Sequence, residues 1–182
     1  MNRDWPECKT FYELCDIPEK CPECSGDDFV YCELGIKDNN IKLSGKIDLL
    51  FRHKQIVVCE AKSVSGYYKI DQQHNVEKYF QTHRHQANAY LGILRQIKAQ
   101  NSMEGFTLYH DGLGNLVEPT LFFAFLQRLN TEKIVLFYED KFSNAIYGYD
   151  YAFDKDMYQG DRQAVKDFYA LNTRQCLPDK RI

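Results

Sequence analysis

Apolar and polar positions along this chain alternate first with the period of a strand, then with that of a helix, then with that of a strand again. Three strand-like runs come first, at about 29–36, 42–52 and 56–64. The second and third contain Leu43-Ser-Gly-Lys-Ile-Asp-Leu-Leu-Phe51 and Ile56-Val-Val-Cys-Glu-Ala-Lys62, separated by polar His53-Lys54-Gln55. That pattern predicts an antiparallel hairpin centred near Lys54. Ile47, Leu49, Leu50, Phe51, Val57 and Val58 fall on both faces of the hairpin, so its sheet is expected to be covered on both sides. From about Asp71 to Lys98 the period lengthens: Val76, Tyr79, Phe80, His83, Ala87, Tyr90, Leu91 and Leu94 follow helical spacing, with no proline and Gly92 alone as a glycine.

Asp111-Gly112 and Gly114-Asn115 then mark a loop. Leu121 to Leu129 reads as a second helix, Lys133–Tyr138 and Ala145–Tyr151 as strands joined by Lys141–Asn144, and Asp161–Leu171 as a last helix capped by the Gly160 region. Strands on both sides of a long helix predict an α/β (α+β) fold, a mixed central β-sheet flanked by helices. One domain is expected over residues 1–182, with a Cys-rich segment 1–32 of short helix and loop at its N-terminus.

Composition agrees: 182 residues with 44% apolar and 27% charged content can bury one sizeable core. No apolar run approaches membrane-spanning length, and Met-Asn-Arg-Asp-Trp-Pro-Glu lacks a secretory apolar region. An intracellular protein of cytoplasm or nucleus, with no membrane partner, is expected. The net charge of −3 gives no global attraction to nucleic acid, so binding there would rely on a local groove. Lys69, Lys78, Arg84 and Arg95 are candidate cations for such a groove, or else solvated helix charges.

The hairpin carries the chemistry. Asp48 lies six residues before Lys54 and Glu60 six after it, which sets the two carboxylates opposite each other, Cβ atoms about 4.5–5.5 Å apart. Lys62, two residues beyond Glu60, shares their face. Like charges across a sheet, among Ile, Leu, Val and Phe, are costly unless something compensates. Mg²⁺ or Mn²⁺ would do so, because hard cations take carboxylate, carbonyl and water oxygens. Lys62 could then orient or help deprotonate an attacking water, or stabilise charge on a phosphate. The plainer alternative is a solvated hairpin face whose salt bridge contributes about 0–1 kcal/mol.

Gly45-x-x-Asp48, then Glu60-x-Lys62, then Gln86-Ala-Asn-Ala-Tyr90 on the following helix resembles, in order and spacing, the PD-(D/E)XK nuclease superfamily. The similarity is to its RecB-like branch of exonucleases and CRISPR-adaptation nucleases, and it implies a restriction-endonuclease-like core. It also implies a Mg²⁺- or Mn²⁺-dependent nuclease hydrolysing DNA phosphodiester bonds, with Asp48 and Glu60 as metal ligands, Lys62 as the catalytic lysine, and Gln86 and Tyr90 near the substrate strand. Family members commonly complete the metal shell with an upstream acid or histidine. No histidine precedes Asp48 here, which leaves Glu33 as the first candidate and Glu13 as the second. Periodicity alone would make Tyr90 a core aromatic, Gln86 a surface residue and Glu33 an exposed strand glutamate. His83 and His85 are given no role. Exonuclease work in recombination, repair or end-processing, in viral, phage or mobile-element settings and beside a helicase or other recombination subunit, is the context the resemblance implies.

Seven cysteines are present, five of them within the first 32 residues. Cys21-Pro-Glu-Cys24 has metal-ligand spacing and, with Cys8 and Cys15 or Cys32, could hold Zn²⁺. Some RecB-like nucleases carry an iron-sulfur cluster on one upstream and three downstream cysteines, but here Cys176 alone lies downstream. Cys59, on the face opposite the carboxylates, is expected to be a small core residue. Two other readings stay open: a non-catalytic nucleic-acid-binding or assembly module with a nuclease-like fold and a structural Cys-bound metal, and a zinc ribbon with an accidental E-x-K.

Overall fold

In the computed structural model, residues 29–53, 55–65, 76–109 and 119–175 are described. The first three strands, β1 (Phe29–Asp38), β2 (Leu43–His53) and β3 (Gln55–Val64), form an antiparallel meander. A long helix follows, α1 (Val76–Gln100), then a short strand β4 (Phe106–Tyr109) and the helix α2 (Pro119–Arg128). Strands β5 (Leu129–Asp140) and β6 (Ala145–Ala152) and the helix α3 (Lys155–Gln175) complete the described chain. All six strands form one sheet in the order β4-β1-β2-β3-β5-β6. Parallel strands need a long crossover, and the stretch holding α1, β4 and α2 provides it between β3 and β5. The fold is therefore α/β with a mixed central sheet, as the hydrophobic pattern predicts.

The expected hairpin register is present: His53 pairs with Gln55 and Leu49 with Cys59, so the pairing is symmetric about position 54. Ile56 to Glu60 are buried in succession, the mark of a strand covered on both faces. Cys59 is buried, its thiol donating to the Val57 carbonyl, in the core role expected of it. The core gathers Leu34, Ile36, Ile47, Leu50 and Val58 from the meander, Leu91, Leu94 and Ile97 from α1, Phe122 and Leu126 from α2, and Ile134, Leu136 and Tyr138 from β5.

Several boundaries differ from the sequence expectation. The four-residue β4, which pairs with β1 through Gly35↔Tyr109 to Asp38↔Phe106, falls where a loop was expected. Too short to display periodicity, it buries Phe106 and Leu108 on alternate positions. β5 begins at Leu129, before Lys133, and α2 at Pro119, before Leu121. The larger correction is α3, which begins at Lys155 and runs through Gly160 rather than starting there. Its cap is Asp154, whose Oδ1 accepts the Met157 N–H at 2.9 Å. Asn88 on α1 fixes that cap by bonding both backbone groups of Asp154, at 2.8 and 2.9 Å. His85 adds a bond to Asp161, and Arg162 pairs at 3.0 Å with the fully buried Asp38 of β1. Asn88, His85 and Arg162 together hold α3 against α1 and the end of β1.

Cys8, Cys15, Cys21, Cys24, Glu13, Lys69 and Cys176 lie outside the described residues, as does the expected start of the long helix at Asp71. No helix among the described residues is long and apolar enough to cross a membrane.

Gly160 is exposed within α3, and a Cβ built on it meets nothing within 4 Å. Gly160→Ala should therefore stabilise the protein by about 0.5–1 kcal/mol, because glycine in a helix interior costs about that relative to alanine. Thermal or urea unfolding checks this; an unchanged or lowered stability would argue against a continuous α3.

Candidate active site

Asp48, Glu60 and Lys62 meet where the sheet divides. β2 and β3 pair from His53↔Gln55 as far as Leu49↔Cys59, and beyond that level each bonds only to its outer neighbour among the described residues. β2 continues with β1 to Leu43↔Asp38, and β3 continues with β5 to Val64↔Asp140. The Ala61 N–H, which has no partner on the β2 backbone, instead donates to Asp48 Oδ2 at 3.0 Å. Buried backbone donors are nearly always satisfied, and here a side chain substitutes for the missing strand. Asp48 is thereby fixed across the fork from Glu60, as the hairpin register requires.

Lys62 bridges the two acids. Its Nζ lies 3.4 Å from Asp48 Oδ2 and bonds closely to Glu60 Oε1. Glu60 is 1% exposed, and its Oε2 has no hydrogen-bond partner among the described residues. Burial is the main cause that pushes the Glu60 carboxyl up to about 7, with the Asp48 charge adding to it and the Lys62 hydrogen bond opposing it. For Lys62, burial pulls the ammonium downward, but bonding and charge from Glu60 and then Asp48 outweigh it and hold the group above its ordinary value. This is no solvated surface bridge, because Glu60 is inside the sheet with half of its hydrogen-bonding capacity unused.

The expected helix motif also arrives here. Tyr90 of α1 is nearly buried, and Gln86 donates to its hydroxyl at 2.9 Å. Burial raises the phenol, with the Glu60 and Asp48 charges contributing. A Cβ on Gly45 would stand 2.5 Å from the Tyr90 hydroxyl oxygen, closer than such contacts come. The glycine of Gly45-x-x-Asp48 is thus the clearance that lets α1 seat on β2. Tyr90 fills the core position its periodicity predicts, with its hydroxyl turned to the site.

Glu33 lies on β1 between the pairs Cys32↔Leu49 and Leu34↔Ile47, so its backbone is level with Asp48. Its side chain is outside those described. Among the described residues no group of three or more His, Cys, Asp or Glu side chains is gathered. Among the described residues the site offers two uncommitted oxygens, the orphaned Glu60 Oε2 and Asp48 Oδ1, the latter on a carboxylate one-third exposed whose bonds fall on Oδ2. A buried, unpartnered carboxylate oxygen beside a second acid suits a hard divalent cation.

Two groups given no role on sequence grounds border the site. His83, one turn before Gln86 on α1, contacts the hydroxyl of Tyr138 at 3.2 Å, and Tyr138 pairs directly with Lys62 across β5 and β3. Burial and then the Lys62 charge lower the His83 imidazole. The usable signal was the spacing 83, 86, 90, which puts all three on one helix face. The groove cations fare differently. Arg84 lies over the Tyr151 ring and 3.8 Å from Asp154, and Arg95 stacks on Phe153 and pairs with Glu132 at 3.0 Å. Both make ion pairs and ring contacts within the protein and remain about one-third exposed. The Lys78 side chain is outside those described.

Two outcomes follow from this packing. Gly45→Ala should cost about 1–3 kcal/mol, since Tyr90 has no room to retreat; wild-type stability in a urea titration would refute the close approach. The raised Glu60 means that the folded state holds this proton more tightly than the unfolded chain. As pH rises above 4.5 the unfolded chain releases it first, so the metal-free protein loses stability until about pH 7 is passed. Glu60→Gln should remove that dependence and raise the metal-free melting temperature at pH 8 by a few degrees, the shift expected from ~1 kcal/mol in a domain of this size. A lowered melting temperature there would mark Glu60 as a structural ion-pair partner.

No family model matches this chain, no curated protein matches it, and no solved structure matches it.

Proposed function

We propose that this protein is a metal-dependent nuclease that hydrolyses DNA phosphodiester bonds. One observation carries the reading: a buried glutamate with an oxygen that has no partner among the described residues, set beside a second carboxylate and bridged by a lysine at the fork of a sheet. Burying a carboxylate without full compensation costs stability, and such groups concentrate where chemistry needs them. The meander, the crossover helix bearing Gln86 and Tyr90, and a further strand parallel to β3 support the likeness to PD-(D/E)XK nucleases.

Asp48 and Glu60 would hold Mg²⁺ or Mn²⁺, with Glu33 a candidate third ligand. When bound, such an ion supplies Lewis acidity toward a phosphate oxygen and a more acidic water. Asp48 keeps its carboxylate in place through the Ala61 N–H. Lys62 has three ammonium protons, of which two reach the acids, leaving a third to orient a water or to meet negative charge growing on the phosphate. Gln86 and Tyr90 line the helix side, and burial of Glu60 keeps bulk water from that side of the pair. Action at DNA ends, as an exonuclease in recombination, repair or end-processing, is the context that the resemblance favours.

A second reading has an observation of its own. Lys62 already bridges both acids, so the triad is partly self-neutralised and compatible with a non-catalytic nucleic-acid-binding or assembly module. Cleavage of end-labelled linear and circular DNA, single- and double-stranded, separates the two. With Mn²⁺ or Mg²⁺ the wild type should cut linear DNA, EDTA should abolish cutting, and Lys62→Ala should lower the rate at least about a hundredfold, the scale of losing a preorganised donor. Sparing of circles would identify an exonuclease, whereas folded wild type that cuts nothing under either metal would leave the binding module.

A further inference from the structure

The turn between β5 and β6 grows directly out of the strand pair that carries Glu60 and Lys62. β3 and β5 run in parallel register through Lys62↔Tyr138 and Ser63↔Glu139 to Val64↔Asp140, and the Lys141 N–H then donates to the Val64 carbonyl at 2.9 Å. The turn thus starts two residues beyond Lys62, about 7 Å along the strand at ~3.3 Å per residue.

It is tightly built. The Asp140 carboxylate, fully buried, accepts the Phe142 N–H at 3.0 Å and the Ser143 hydroxyl at 3.1 Å, and the Asp140 carbonyl accepts the Asn144 N–H at 2.8 Å. Asn144 closes the turn at φ 52, in the left-handed region that asparagine tolerates. Yet this braced turn holds Phe142 at 76% exposure, with Lys141 exposed beside it and Ile146 exposed just beyond. An exposed ring on a rigid mount, next to a cation and on the turn that begins two strand residues beyond Lys62, has the chemistry that takes up an unpaired base, because every base presents a π-face and every linkage a phosphate.

We infer that Phe142 is a base-stacking platform for a single strand of DNA lying in the candidate active site, with Lys141 on the adjoining phosphate. The inference rests on the nuclease reading and narrows it to substrates with unpaired nucleotides, such as single strands or frayed ends. Stacking needs a base free of its own partner, so a blunt duplex gains nothing from Phe142.

The test is fluorescence anisotropy of a labelled single-stranded oligodeoxynucleotide and of the blunt duplex of the same sequence, with Ca²⁺ replacing Mg²⁺, on wild type, Phe142→Ala and Phe142→Trp. Phe142→Ala should weaken single-strand binding about tenfold, the scale of one lost stacking contact. Phe142→Trp should restore it, and duplex affinity should stay within about twofold. Single-strand affinity unchanged in Phe142→Ala, in a protein that cleaves DNA, would overturn the platform and leave the nuclease standing. A tenfold loss in a protein that never cleaves would keep the platform and remove the enzyme. Absence of any DNA binding by the wild type overturns both. Conversion of a dimer to a monomer by Phe142→Ala, with DNA affinity unchanged, would make the turn a contact between copies and overturn the inference.

Discussion

The candidate site depends on the parting of β2 from β3 just past the Leu49–Cys59 pair. A sheet that stayed paired there would satisfy the Ala61 N–H with backbone and press Asp48 and Glu60 together with no space between them. Because the strands separate, Asp48 takes over that hydrogen bond and is immobilised by it. Glu60 stays on the β5 side, inside the layer, with an oxygen unmatched. One backbone event thus yields a fixed carboxylate beside a desolvated one. Lys62 bridges the two and offsets part of their repulsion, which keeps the metal-free arrangement foldable.

What keeps the fork open is packing from the helix side. Tyr90 rests where a Gly45 side chain would be, and Gln86 holds the phenol. α1 is in turn locked to α3 by buried Asn88 gripping the Asp154 backbone, and α3 reaches β1 through Arg162 and Asp38. α1 thus packs mainly across β3 and β5, which carry Glu60, Lys62 and Tyr138, and reaches β2 through Tyr90, while α3 is tied to β1. A contact between α1 and both halves, Tyr90 to Gly45 and His83 to Tyr138, sets their separation and with it the distance between the acids.

The parts legible in the sequence were those written in local periodicity. Alternation around His53-Lys54-Gln55 located the hairpin centre, and counting from it placed Asp48 and Glu60 one step past the Leu49–Cys59 pair, where the strands part instead of pairing as expected. Helical spacing found α1 and placed Gln86 and Tyr90 on one face. What remained hidden depends on contacts distant in sequence. β4 is too short to show a period and exists because β1 offers an edge. Gly160 looked like a helix boundary because glycine often is one, but Asp154, clamped by Asn88 sixty-six residues earlier, begins α3 and the helix runs through the glycine. Arg84 and Arg95 looked like free cations because a sequence does not reveal that Asp154, Glu132, Tyr151 and Phe153 fold over them.

The pairing of those two arginines within the protein bears on how such a protein would hold DNA. With a net charge of −3 and two arginines tied internally, sequence-independent phosphate attraction is weak at long range. Recognition then falls to short-range terms at the fork: a cation between the carboxylates, the Lys62 ammonium, and rings at its rim. Of these, stacking is the least affected by the protein's own negative charge, since it draws on the base rather than the backbone. A chain that is poor at collecting duplex by charge but presents an exposed ring on the turn leading from its candidate site strands would be better matched to strands whose bases are already unpaired, and for such a chain the end of a duplex is a different substrate from its middle.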